Sequence, residues 1–561
     1  MMYEKLMKHV GEFGSCQKFI AVATCMGYYV IGLFLLYSVF ILYTPPHQCS
    51  FGGANNFTSN GSILEIESNF DSSNENKTFS NSNLHCDDFV KKHDYNQPQE
   101  RCRVTWKYNT EKGITSVATE FGLVCERAWM KPLIQSIQIG GVMAGSLLGG
   151  IISDRIGRRR TIIPVAIILV ISDFLLVIMP SIYGIQTFIF FLGFASAILS
   201  TTYVVILHEY TPAHELMLLA FFQMSCCSFG YATMSLLQFL FPNWRHMTIA
   251  TGVLASLMLL PTLFVSETVR WSLENQSTKK TFQLLKKIAE INKVDLSDTQ
   301  VMTMLINAEE TKRNESEKNE RNSNYLKIQS KFTDTYLDLI KVPILRKRIL
   351  ALGFAWFAAC LAYYAFGFNT DNLGISRYLG ACLSALMEVP GDVISFFMVR
   401  RIGKVKTFVT VSLSSGILFL LTAGLQKVNV WAGAVSAMFG KLFSTIMYSL
   451  VLVSAAHFFP TSLRNQAFAV CYCIGRFGSL FSPFVVFLGE NVFENFPFIL
   501  MSVMVFAAAI CFYLLPETSG RPLPSTMHDA VMLERYRLKF RCCKENKTRA
   551  NVDEETRVME I

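Results

Sequence analysis

Gly145-Ser146-Leu147-Leu148-Gly149-Gly150-Ile151-Ile152-Ser153-Asp154-Arg155-Ile156-Gly157-Arg158-Arg159-Arg160-Thr161 decides how the chain is read. An apolar run ends on one carboxylate, and a tight turn then carries four arginines into the next apolar run. Gly145 and Gly149 stand four apart, a spacing that lets two helices approach backbone to backbone. Asp154 falls at the end of the apolar run, where a lone charge is costly unless it is paired. Short basic loops stay on the cytoplasmic side of a membrane. The pattern returns 246 residues later as Val399-Arg400-Arg401-Ile402-Gly403-Lys404-Val405-Lys406-Thr407. Tyr210-Thr211-Pro212 is answered by Phe459-Pro460-Thr461, and Ser266-Glu267-Thr268 by Pro516-Glu517-Thr518. Three landmarks in the same order imply two halves of like topology. The second copy has Arg400 in place of Asp154, so its turn cannot be held by the same carboxylate.

The bulk composition agrees with a membrane chain. Of 561 residues 51% are hydrophobic and only 17% charged, against about a quarter charged in soluble proteins. A net charge of +9 would suit nucleic acid, but the basic residues lie in loops between apolar runs, where membrane orientation accounts for them. No nucleic-acid partner is expected. The first apolar run follows Lys5, Lys8 and Lys18 and is long enough to remain as a span rather than be cleaved. The last residues, Val558-Met559-Glu560-Ile561, form no prenylation box. Met559-Glu560-Ile561 would fit a PDZ-type domain.

Twelve runs have the length that crosses a hydrocarbon core. They are Phe19–Tyr43, Pro132–Ile152, Thr161–Pro180, Ile185–Leu207, Leu216–Phe239, Met247–Val265, Leu350–Phe368, Leu379–Met398, Phe408–Leu425, Val430–Ala455, Ala467–Leu488 and Phe498–Leu515. The chain therefore divides into a cytoplasmic N-terminus (1–18), a first six-helix bundle (19–266), a cytoplasmic linker (267–348), a second bundle (349–516) and a cytoplasmic tail (517–561). Within the first bundle, residues 44–131 form a polar loop too long for an ordinary connection. It holds Cys49, Cys86, Cys102 and Cys125, and sequons at Asn56, Asn60 and Asn76. An even cysteine count and clustered sequons point to the oxidising, glycosylated, extracellular side. Four cysteines allow three pairings. In the linker, Thr281 to Ala289 has apolar residues at helical spacing, as a surface helix does.

Charges inside spans are costly and are functional candidates for that reason. Arg476, Lys441, Glu388 and Asp392 lie well inside the second bundle, and Asp173 inside span three. Two bases against two acids permit complete mutual pairing, which would make them internal glue. Aromatic faces attract quaternary ammonium groups, and Tyr203, Phe222, Trp356, Tyr363, Tyr364 and Tyr448 are candidates. Gln223 adds a hydrogen-bonding group. No cysteine or histidine spacing suits a metal, no glycine-rich loop suits a phosphate, and no cofactor or catalytic chemistry is expected.

The arginine turn resembles the loop between helices two and three of the major facilitator superfamily, where it latches the cytoplasmic gate. The long first loop, Val10-Gly11-Glu12-Phe13-Gly14, Ser266 to Trp271 and Leu515 to Pro524 together resemble solute carrier family 22, over nearly the whole chain. That resemblance implies an all-α membrane protein of the major facilitator fold, in the plasma membrane, moving a small organic ion through the bilayer by alternating access. It allows a co-transported ion. Asp154, Arg155, Arg158, Glu209 and Arg464 fall at the family's gate positions. Cation-transporting members have an aspartate at the Arg476 position and a glutamate at the Ser449 position; anion and carnitine transporters look like this chain at both. Tyr363 to Asn372 and Leu383 to Pro390 are most similar to the carnitine branch. The resemblance thus implies that Arg476, Lys441, Glu388, Tyr363, Tyr448, Gln223 and Phe222 meet the substrate, an organic anion or a carnitine-like zwitterion. Such a zwitterion would place its carboxylate on Arg476 and its ammonium near Glu388 or an aromatic face. Family members often have six cysteines in the first loop, two more than here. The chain also departs from the family at Phe191, Ala195, His214, Glu215 and His457, as it does at Arg400 in the second turn. These departures favour a rival class, a transport-inactive receptor or adhesion protein that keeps the fold. An organic cation transporter is the other alternative.

Overall fold

The computed structural model describes residues 6–7, 9–51, 104–108, 114–294, 301–303, 305–306, 341–455, 457–459 and 463–517. Among them, twelve helices are long and apolar enough to cross a membrane. They are α1 (Ser15–Leu35), α2 (Met130–Ile156), α3 (Arg158–Ile178), α4 (Ile182–Tyr210), α5 (Ala213–Leu240) and α6 (Trp244–Phe264, its last turn 3-10). After the linker come α7 (Pro343–Phe368), α8 (Arg377–Ile402), α9 (Lys404–Leu425), α10 (Val430–Ala455), α11 (Arg464–Asn491) and α12 (Phe496–Tyr513). Backbone groups in a bilayer have no water to bond, so each span satisfies them within its own helix.

Two spans are less regular than their hydropathy suggests. The first stops at Leu35 and resumes as a short helix at Tyr37–Ile41. The eighth breaks at Met387. Pro390 has no N–H to donate to the carbonyl of Leu386, and its ring crowds that carbonyl. The break puts Glu388 at a helix start in mid-membrane.

The structure adds one feature to the helical expectation. In the first loop, β1 (His47–Phe51) pairs antiparallel with β2 (Val104–Tyr108), with Cys49 opposite Trp106. Asn56, Asn60, Asn76, Cys86 and Cys102 lie outside the described residues, as does the side chain of Cys49. Cys125 opens a short 3-10 turn just before α2, at φ +51°.

Small residues set the packing inside each half. A Cβ on Gly145 would collide with the carbonyl oxygen of Phe194, so α2 and α4 touch backbone to backbone there. The halves meet through two helix pairs, α5 with α8 and α2 with α11. These pairs are equivalent when the six-helix repeats are exchanged. On the side of the first loop, Arg377 lies over the Tyr43 ring at 3.6 Å, and Lys131 pairs with Glu490 at 3.8 Å. Close by, in the short turn after α7, burial pushes the Asp371 carboxyl up while Lys131 and Arg377 pull it down. Towards mid-depth, Ser136 Oγ donates to Leu480 O (2.9 Å) and Tyr472 OH to Ser146 Oγ (3.0 Å).

Candidate functional site

Between the halves, at mid-depth, two charged clusters stand side by side. The first is centred on Glu388 at the α8 break. Lys441 Nζ of α10 lies 3.3 Å from Glu388 Oε1, with the two side chains 0% and 8% exposed. Tyr363 OH of α7 donates to the same oxygen at 2.5 Å, and Ser228 Oγ of α5 donates to Oε2 at 3.0 Å. The Lys441 ammonium also sits over the Tyr363 ring, 3.1 Å from its centroid. The cation and two hydroxyl donors engage this carboxylate, and the ring face holds the cation. Ser228 comes from the first half, so the bond ties the two halves together.

The second cluster is centred on Arg476 of α11, which is 8% exposed. Its Nε donates to Tyr472 OH at 2.9 Å and its Nη1 to Tyr364 OH at 3.0 Å. Tyr472 stands one helical turn before Arg476, so its hydroxyl lies alongside the guanidinium. Trp356 meets Tyr472 edge-on, 5.5 Å between ring centres, and Tyr363 stacks with Tyr448 at 5.3 Å. Among the described residues no carboxylate pairs with Arg476. The complete mutual pairing that the charge count allowed does not occur: Glu388 takes Lys441, and Arg476 keeps only hydroxyl partners. Asp392, one turn beyond Glu388, accepts from Ser449 Oγ at 2.9 Å and meets no cation among the described residues.

Other candidates sit apart. Phe222 is 51% exposed and meets Phe221 edge-on. Gln223 is buried, and its amide nitrogen has no hydrogen-bond partner. Among the described residues neither is bonded to the two clusters. Tyr203 is fully buried and bonds Thr262 at 2.8 Å, a packing role between α4 and the end of α6. Asp173 is buried between α3 and α6, its carboxyl against Gly252. Tyr472 and Ser228 escaped the sequence reading. The i,i+4 spacing of Tyr472 and Arg476 was available to find the first; nothing local marks the second.

The turn between α2 and α3 is a closed ionic clamp. Arg158 Nη2 lies 3.0 Å from Asp154 and 2.9 Å from Glu209 of α4. Glu267 accepts from the N–H groups of Arg158 (2.8 Å) and Arg159 (3.2 Å), capping α3. Gly157, at φ +111°, makes the turn that only glycine adopts without strain. Arg155 is exposed, and Arg464 opens α11 with its side chain outside the described set. In the repeat, Glu517 caps α9 through Lys404 N and Val405 N, both at 3.0 Å, after Gly403 at φ +87°. There Arg400 itself stands where the first turn has Asp154, and its guanidinium lies over the Phe396 ring at 4.4 Å.

The model of the family described as "Sugar (and other) transporter" matches residues 68–528, most of the chain. The chain belongs to this family. Among its relatives, the organic cation transporter protein of Drosophila melanogaster is 26% identical over 537 residues, covering 94% of each chain. Solute carrier family 22 member 13 of Homo sapiens is 27% identical over 543 residues, covering 94% of this chain and 93% of its own. Solute carrier family 22 member 2 of Rattus norvegicus is 26% identical over 560 residues, 96% of each. The inward-open xylose transporter of E. coli superposes with TM-score 0.56 at 13% identity, covering 92% of this chain and 99% of its own. At that identity the likeness speaks for the fold, that of the major facilitator superfamily. This transporter-family chain is thus a multi-pass membrane protein of two six-helix bundles, as the repeated turn implied.

Proposed function

We propose that the chain carries a small organic ion bearing a carboxylate, an anion or a carnitine-like zwitterion, across the plasma membrane by alternating access. One observation carries this reading: a buried guanidinium between the halves, oriented by two tyrosine hydroxyls and facing no carboxylate among the described residues. A guanidinium presents a rigid fork that fits a carboxylate with two parallel bonds. It repels a cation at the same depth. The family membership and the name of one relative, an organic cation transporter protein, support an organic ion as cargo, although that name points to a cation. In this reading the first loop faces outward, both termini face the cytoplasm, and the Asp154–Arg158–Glu209 clamp with Arg155 and Arg464 belongs to the inner gate. Lys441, Glu388, Tyr363 and Tyr448 form the wall beside the substrate, with Phe222 and Gln223 on the approach from α5.

Competitive uptake in matched cells tests it. A hydrogen bond to a charged group contributes about 1.5–3 kcal/mol, so Arg476→Ala should weaken carboxylate substrates by roughly ten- to a hundred-fold. Arg476→Lys should recover part, because an ammonium cannot form both bonds. Intact anion and zwitterion uptake in Arg476→Ala at normal surface expression would overturn the reading. Uptake confined to quaternary amines in the wild type would favour the organic cation alternative.

A further inference from the structure

Four charged side chains lie within the second half at mid-depth, and three of them are accounted for. Glu388 and Lys441 neutralise one another, and Arg476 is the cation left over for an anionic group. Asp392 is the acid left over. It stands four residues after Glu388, on the same face of α8 and one turn closer to the basic turn. Its Oδ1 accepts from Ser449 Oγ at 2.9 Å, its side chain is part-exposed, and no cation meets it among the described residues. Ser449 follows Tyr448 on α10, and Tyr448 stacks on the Tyr363 ring at 5.3 Å. Tyr364, next to Tyr363 on α7, carries the hydroxyl that accepts from Arg476 at 3.0 Å. One continuous wall of tyrosines therefore runs from the free guanidinium to the free carboxylate. On α5 of the other half, Ser228 bonds Glu388 one turn away, and the α8 segment that carries both acids packs against α5. That places Asp392 at the junction of the halves.

The expectation from sequence gave the ammonium of a zwitterion to Glu388 or to an aromatic face. Glu388 is the more occupied acid of the two: its oxygens already accept from Tyr363 and Ser228 and pair with Lys441. We propose that Asp392, held by Ser449, is the cation-recognising residue of a two-ended site, with Arg476 at the other end and the tyrosine wall between. The substrate class is then a zwitterion with a carboxylate and a quaternary or tertiary ammonium, in preference to a plain organic anion. A buried charge on either end costs less when the ligand supplies the opposite sign, so a zwitterion satisfies both ends at once. The aromatic faces along the wall suit a methylated ammonium. This inference rests on the assignment of Arg476 to the carboxylate.

Three isosteric probes separate the two claims. They are γ-trimethylammoniobutyrate, its analogue with a quaternary carbon in place of nitrogen, and the cation with an isopropyl group in place of the carboxylate. Binding to purified protein and uptake in cells are measured for wild type, Asp392→Asn, Ser449→Ala and Arg476→Ala. Asp392→Asn keeps an oxygen for Ser449, so the fold should persist, as surface expression and melting temperature would report. The wild type should prefer the zwitterion to its carbon isostere. Asp392→Asn should weaken the zwitterion by roughly ten- to a hundred-fold, the range set by losing a charged partner, and leave the plain anion unchanged or tighter. Ser449→Ala should move in the same direction by less. Equal loss of zwitterion and anion in Asp392→Asn overturns the inference while leaving Arg476 in place. So does a wild type that fails to bind the zwitterion or holds the carbon isostere as tightly. If Arg476→Ala binds both carboxylates normally, the prior assignment fails instead.

Discussion

Arg158 and Arg476 are buried alike, 7% and 8% exposed, yet their surroundings differ in kind. Arg158 lies at the end of the bundle between two carboxylates, with a third capping its helix. Arg476 lies between the halves with two phenol hydroxyls and no acid among the described residues. A buried ion pair that is complete in the folded chain holds two elements in register and asks for nothing more. A buried cation that is hydrogen-bonded but uncompensated is left waiting for charge from elsewhere. The difference separates a latch from a binding group, although both are buried arginines on long apolar helices.

Removing each arginine should therefore break different properties. Arg158→Ala leaves Glu209 buried at 7% exposure with no cation among the described residues. Breaking a buried pair in this way costs about 3–5 kcal/mol, so the purified protein should melt well below wild type and reach the surface poorly. Arg476→Ala removes a desolvated charge and leaves only tyrosine hydroxyls behind, so its melting temperature should stay near wild type while ligand-induced stabilisation disappears. Equal destabilisation by the two substitutions would erase the distinction.

A weaker test uses the repeated caps. Glu267 and Glu517 each accept from two N–H groups at the start of α3 and α9. Losing a helix cap costs about 0.5–2 kcal/mol. Glu517→Ala should cost at least as much as Glu267→Ala, because the Asp154–Arg158–Glu209 clamp still fastens the first turn, whereas the second has Arg400 in place of Asp154. Calorimetry of the two variants reads the order directly. A larger loss in Glu267→Ala would mean that its cap and the clamp depend on each other.

The sequence carried the spans well because each is a run of about 20 apolar residues, and the repeat because Gly157 and Gly403 both need a positive φ. It carried the capping acids too, as landmarks at matching offsets. It missed the break at Met387, although Pro390 signals one, because hydropathy does not register a missing hydrogen bond. The ladder of His47–Phe51 with Val104–Tyr108 was also missed, since short strands leave little periodicity to read. At the site, the charged residues stood out by their cost in a membrane, but their pairing did not. Glu388 could have met Arg476 or Lys441 on charge alone. What decides is the register of α8 against α10, together with Ser228 arriving from the other half, and no local pattern encodes either.

The smallest effect falls on Asp154, the acid near the end of α2, ahead of the arginine turn. Its side chain is 70% exposed, and it stands four residues before Arg158 on a helix surface. Exposed pairs at that spacing contribute about 0.3–0.5 kcal/mol. The better-buried partner, Glu209, bonds the same guanidinium nitrogen at 2.9 Å and would remain. The backbone carbonyl of Asp154 accepts from Trp271 Nε1 at 2.7 Å, a bond that a side-chain change leaves intact. Asp154→Asn should accordingly shift the melting temperature by no more than a degree or two (about 0.5 kcal/mol spread over a large unfolding entropy). Glu209→Gln should shift it several-fold further, since Arg158 would then keep only an exposed acid. Raised salt should narrow the Asp154→Asn difference and leave the Glu209→Gln difference nearly unchanged, because screening reaches exposed pairs first. If Asp154→Asn proves the more damaging of the two, the clamp is centred on the exposed acid, and burial is the wrong guide to what holds this turn.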